Sequence, residues 1–273
     1  MVQAWAIGTL SDPCWFRDPW HGFFHGFPRP NVFHFPLPCG MVKKFFLEAV
    51  VDSLEAALAA EAAGADRIEL CSALELGGLT PGGGLLRSVC ERLRIPVHVL
   101  IRTRGGAFIC TQGEFETLLL EAEEARIAGA SGIVAGILLA NGHIDIERMK
   151  LITQAAAPLP VTFHRAFDRL TDREVALTEL LATGCPRLLS SGLSTDAAQG
   201  SANLRWLRAH SEGWLVVMPG GGITATNVAA IAAATGAIEF HFSAITPTDD
   251  GRWLPAPEKV RAIKAALEDY FVE

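Results

Sequence analysis

The chain has 273 residues, half of them apolar, and a formal net charge of −7. That is enough apolar material for one large domain with a substantial core, and the acidic balance excludes broad binding to nucleic acid or an anionic membrane. No apolar run reaches the roughly 20 residues that span a bilayer, and the six cysteines are scattered without a CxxC pair, as in a chain of reduced, cytosolic thiols.

Residues 1–40 differ from the rest: they hold three of the six Trp and six of the fifteen Pro, but no Lys or Glu. Neither helical nor strand periodicity runs through them, and the prolines would interrupt either. Met41-Val42-Lys43-Lys44 then reads like a natural start. The expectation is an atypical extension over 1–40, disordered or a mis-called start, followed by one domain over 41–273.

From there short apolar runs alternate with longer Ala/Leu/Glu segments, the pattern of βα units around a parallel sheet. Strands are expected at 45–51, 67–71, 97–102, 132–137, 160–164, 187–191, 214–218 and 238–243. Helices are expected near 53–63, 84–93, 114–128, 145–156, 172–183, 201–210, 224–235 and 256–269. Gly64, Gly129, Gly184 and Gly236 each follow a helix, where the left-handed closing position suits glycine. Eight units with nothing left for a second domain predict an α/β fold, a closed (β/α)8 TIM barrel; an open doubly wound sheet is the alternative.

Side chains alternate across a strand, so one parity faces the helices and the other the barrel interior. The helix-facing set must be apolar, as Leu47, Ala49 and Val51 are. That sends Glu48, Val50 and Asp52 inward, with Arg67, Glu69 and Cys71 from the second strand. His98, Leu100 and Arg102 join them from the third, Thr162 and His164 from the fifth, and Glu239, His241 and Ser243 from the eighth. Buried charges need partners or water. The glutamates could pair with Arg67 or Arg102 as a structural network, or the polar set could form a working pocket at the C-terminal mouth.

Two loops suit an anion. Gly220-Gly221-Gly222 enters a helix after the seventh strand, where backbone amides and the helix dipole favour negative charge and Thr224 can cap. Arg102 and Arg104 add guanidinium groups, and Ser243 lies in the next loop. The glycine-rich 77–84 loop is expected to move, with Thr80 near the mouth.

Several motifs resemble the CutC copper-homeostasis family across nearly the whole of 45–245: Gly64-Ala65-Asp66-Arg67-Ile68-Glu69-Leu70-Cys71, Gly77-Gly78-Leu79-Thr80-Pro81, Phe163-His164-Arg165-Ala166-Phe167-Asp168, Met218-Pro219-Gly220-Gly221-Gly222-Ile223 and Glu239-Phe240-His241-Phe242-Ser243-Ala244. The resemblance implies a cytoplasmic, self-associating barrel (a homodimer or larger) linked to copper, with Cys71 as a metal ligand. Some members pair that cysteine with another in the first strand; here the position is Val50. The family's Arg-Pro-Arg-Gly-Gly-Asp-Phe reads Arg102-Thr103-Arg104-Gly105-Gly106-Ala107-Phe108.

Two functions follow. One is copper handling without turnover. The other is an enzyme acting on a small anionic or phosphorylated metabolite. There Arg102, Arg104, Ser243 and the 220–222 amides would hold the anion, and His164 would be the general acid or base. Asp168 or Glu48 would orient His164 or a divalent metal, His241 would be its partner, and Asp52 and Glu69 would be further interior carboxylates. Self-association also finds support in the loop and C-terminal aromatics Phe108, Trp253, Tyr270 and Phe271.

Overall fold

The computed structural model describes residues 44–272 apart from 212 and 250. The reading of 1–40 as an extension or mis-called start lies outside the described residues.

Eight strands make one parallel sheet: β1 (Phe46–Val51), β2 (Arg67–Leu70), β3 (Val97–Leu100), β4 (Gly132–Ala135), β5 (Val161–Phe163), β6 (Arg187–Ser190), β7 (Val216–Pro219) and β8 (Glu239–Ser243). Neighbours in sequence are neighbours in space, and β1 pairs with both β2 and β8. The last seam, between β7 and β8, is joined by a parallel bridge from Gly220 to His241. The barrel is therefore nearly closed, as expected, and is not the open doubly wound sheet.

Helices alternate with the strands: α1 (Leu54–Ala62), α2 (Gly83–Arg92), α3 (Gln112–Ile127), α4 (Ile146–Ala156), α5 (Arg173–Thr183), α6 (Ser201–His210), α7 (Val228–Thr235) and α8 (Pro257–Val272). Their starts have local causes. Ser53 accepts from the Ala56 amide, Asp172 from those of Glu174 and Val175, and Thr111 with Glu114 forms a capping box. The four glycines expected to end helices all have positive φ, between 68 and 97°. Between the sheet and the helices the apolar parity packs as one core, with Leu47, Ile68, Val99, Ile133, Phe163 and Phe240 among its buried residues. Among the described residues, no helix is long and apolar enough to cross a membrane.

Two expectations are corrected and one element is added. The helix placed at 224–235 starts at Val228, because Asn227 Oδ1 accepts from the Thr224 amide at 2.8 Å and holds a turn; Thr224 is not its cap. A small antiparallel hairpin, β9 (Ile245–Pro247) with β10 (Trp253–Pro255), follows β8. Its three-residue strands each end in proline and carry no legible period. Lastly, the aromatics expected to project for self-association are half-buried: Phe271 stacks on Phe45, Tyr270 packs edge-on against Phe271, and Phe108 and Trp253 lie against the core.

Candidate functional site

The inward parity builds the barrel interior in tiers. At the floor, Arg67 donates through Nε to Glu48 and through Nη2 to Glu239 at 2.8 Å. Its guanidinium carbon lies 5.0 Å from the centre of the Phe46 ring, and Nη2 approaches Met218 Sδ at 3.5 Å. Arg187, from β6, gives Glu239 a second cation at 2.9 Å. Apart from Met218, these groups come from the first half of their strands, at the closed end. Of the buried network anticipated for Glu48, Glu69 and Glu239 with Arg67 or Arg102, the part formed by Glu48, Glu239 and Arg67 is present without Glu69 or Arg102, and Arg187 is a member that sequence reasoning missed.

One tier higher, His241 Nδ1 lies 2.7 Å from Glu48 Oε1, and His98 Nδ1 lies 3.7 Å from Glu48 Oε2. Burial opposes ionisation of Glu48, but Arg67 and His241 outweigh it and hold its carboxyl well below the usual range. Glu69 lacks such a partner, and burial pushes it up to about 7. Burial and the Arg67 charge hold His98 neutral. Glycines at the start of β4 and just past its end make room for imidazole rings. A Cβ at Gly132 would lie 2.5 Å from His98 Nε2, and one at Gly136 would lie 2.4 Å from His164 Nδ1. Sequence reasoning passed over both glycines; glycine inside a strand was the available signal for a close approach.

Above these groups Val50, Cys71, Leu100 and Val134 form a second, inner apolar cluster, with Leu74 packed against it. The mouth then opens into a pocket of about 670 Å³ whose wall includes Glu69, Arg102, Phe108, His164, Arg165, Gly221, Gly222, His241, Ser243 and Lys259. The expected site residues thus divide. Glu69, Arg102, His164, Gly221, Gly222, His241 and Ser243 converge there, whereas Glu48 lies beneath them. Gly220 packs between Leu189 and His241. Asp52 is half-buried at the end of β1 and bonds to Ser53. Arg104 points along its own loop to Glu114 at 2.5 Å and to the Ile109 carbonyl at 2.8 Å.

Contacts within the mouth revise several roles. Arg102 is a strap: Nη1 donates to the carbonyls of Leu76, Gly77 and Gly78, and Nη2 to that of Gly106. Thr80 Oγ1 bonds to the Arg102 backbone and to Glu121, so the loop expected to move is tied down. His164 Nδ1 accepts from the Ala166 amide at 3.2 Å, and its ring tilts against Phe108 at 4.9 Å. Burial, and then the Arg102 charge, lower its pKa to about 3, so the ring rests neutral near pH 7. Neither Asp168 nor His241 hydrogen-bonds to it.

Asp168 instead accepts from Ser190 Oγ, the Ser191 amide and hydroxyl, and the Leu193 amide, and so aims Arg165, whose Nε lies 2.9 Å away. Arg165 also bonds to Ser191 Oγ at 3.0 Å. Its guanidinium lies over the turn after β7, where a Cβ on Gly221 would meet Cζ at 3.0 Å. Arg165 is therefore an accessible, pre-positioned cation at the mouth. The legible signal was the Arg165/Asp168 spacing of three residues on a helical turn.

A thiolate copper centre fits poorly. Cu(I) favours soft donors, usually more than one. Cys71 is fully buried among aliphatic side chains, and burial, with Glu69 nearby, holds its thiol well above its usual pKa. Val50 shares that cluster, and the sulfur of Met218 faces the Arg67 guanidinium.

The CutC family description matches residues 45–246. The human copper homeostasis protein cutC homolog is 45% identical over 212 residues, covering 78% of each chain. Among solved structures, a copper homeostasis protein CutC from Streptococcus agalactiae superposes with a TM-score of 0.69 at 30% identity, covering 72% of this chain and 97% of that one. Thiamine phosphate pyrophosphorylase from Pyrococcus furiosus gives 0.56 at 14% identity, covering 84% and 98%, a likeness of barrel fold alone. A family match spanning most of the chain, together with close relatives that carry the same name, makes this chain a member of the CutC family.

Proposed function

We propose that the chain has the copper-homeostasis role for which its relatives are named, and that its barrel works by taking up a small anionic molecule at the mouth rather than by a thiolate-held copper ion. The observation that carries the reading is Arg165, fixed by Asp168 over the Gly221 backbone on the pocket wall. A guanidinium held in one orientation suits bidentate capture of phosphate or carboxylate, because its ordering cost is already met. Ser243 and Lys259 lie on the same wall, and neutral His164 offers a further hydrogen bond, its Nε2 being buried without a protein partner. The cytoplasmic location and self-association implied by the family belong to the same reading, without nucleic-acid or membrane partners.

A thermal-shift screen with inorganic phosphate and small phosphorylated or carboxylated metabolites tests it. An anionic hit is expected, and Arg165→Ala should weaken it about 10- to 100-fold, the worth of a charge-assisted hydrogen bond. A hit whose affinity survives Arg165→Ala, or a screen without anionic hits, refutes the assignment. The copper reading is checked separately by titrating Cu(I) against a competing chelator. Cys71→Ala should change the apparent affinity by less than about threefold, since one buried thiol is a poor Cu(I) site. A tenfold loss would restore Cys71 as a ligand.

A further inference from the structure

Below the anion pocket, Glu48, Glu69 and His241 come together in a way that the mouth reading does not use. One donor atom from each lies within 4.8 Å of the other two, and all three residues are buried. We propose that these three side chains form a site for a divalent first-row cation. The inference stands independently of which anion binds above.

Distance comes first. Metal–ligand bonds of about 2.0–2.2 Å place donors on opposite sides of an ion roughly 4.4 Å apart. The observed cluster needs only small side-chain shifts to close on one. Unpaired atoms are the second observation. Glu69 Oε2 has no hydrogen-bond partner although the residue is only 6% exposed. His98 Nδ1, in a residue 3% exposed, is also without a hydrogen bond and faces the Glu48 carboxylate. A buried carboxylate oxygen without a donor is costly, and an ion is one of the few partners that can satisfy it.

Charge and access agree. Arg67 engages Glu48 through Oε2 and shares Glu239 with Arg187, which leaves Glu48 Oε1 turned toward His241. The two guanidiniums are thus matched by Glu239 and Glu48, and Glu69 is the carboxyl group left for an incoming cation to meet. Glu69 and His241 both line the mouth pocket, so the ion has a route from solvent. The donor set is two carboxylates and an imidazole with no sulfur, which suits Mn2+, Fe2+, Zn2+ or Cu2+ and not Cu+.

The test uses the full chain, stripped with EDTA and dialysed. Mn2+ is titrated by electron paramagnetic resonance and Zn2+ by competition with a colorimetric chelator. One ion per chain is expected, with Zn2+ bound more tightly than Mn2+. Glu69→Gln, nearly isosteric, and His241→Gln should each weaken Zn2+ binding at least tenfold, whereas Cys71→Ala leaves it unchanged. Circular dichroism and thermal melting report whether each variant folds. X-ray absorption of the zinc-loaded wild type supplies a readout free of mutation, with nitrogen and oxygen neighbours expected and no sulfur. Absence of stoichiometric binding up to 1 mM, binding that survives in folded Glu69→Gln protein, or a sulfur neighbour of the ion would overturn the site.

Discussion

Arg67→Met is expected to lower the free energy of unfolding by about 3–5 kcal/mol, read as a shift in the urea midpoint. Arg67 is the cation that Glu48 and Glu239 share at the barrel floor, and Glu48 is fully buried. Methionine fills much of the volume and preserves contact with Phe46 and Met218, so most of the loss comes from charge. Glu239 keeps Arg187, but Glu48 keeps only the imidazoles of His241 and His98. Adding Glu48→Gln to Arg67→Met should therefore recover at least 1 kcal/mol relative to additive costs, because the carboxylate left unpaired is then gone. A single-variant loss under about 1 kcal/mol would show that water, not Arg67, compensates these carboxylates.

How much of this network was legible in the sequence follows from its physics. The parity argument needs only that helices cover one face of each strand, and it placed Glu48, Arg67, Glu69, His98 and His241 inside without any knowledge of partners. Strand order followed because βα units wind in one direction around a barrel. Partner choice was another matter. Whether Arg102 reaches an anion or the carbonyls of Leu76–Gly78 depends on the path of a glycine-rich loop, which local sequence does not encode. Arg165 looked like one more polar residue in a motif until Asp168, Ser190 and Ser191, from two different βα units, were seen to hold it. Cys71 carried a family expectation toward copper, yet its neighbours from β1, β3 and β4, Val50, Leu100 and Val134, make the place apolar.

Gly132 of β4 is where sequence and packing are most tightly joined, and Gly132→Ala should be costly. Gly132 faces inward opposite His98 in the β3–β4 register, and an added Cβ would lie 2.5–2.8 Å from three atoms of that ring. Neither party has an easy way to move. The β4 backbone is hydrogen-bonded on both sides, to β3 and β5, and the imidazole is buried beside Glu48. Overpacking of this kind costs about 1–3 kcal/mol, against a gain of under 1 kcal/mol from replacing a flexible glycine. His98→Ala alone should also destabilise, by opening a cavity at the centre of the barrel. The two losses should not add: with the imidazole gone, the new methyl has room and fills part of the space. A double-mutant cycle read by chemical unfolding is thus expected to give a favourable coupling of about 1–3 kcal/mol. Strict additivity would mean that strand displacement, rather than contact with His98, is what excludes a side chain at position 132. The same reasoning assigns Gly136, the residue after β4, to His164, so glycines at the start and just past the end of this strand set the space available to an imidazole at two heights of the barrel.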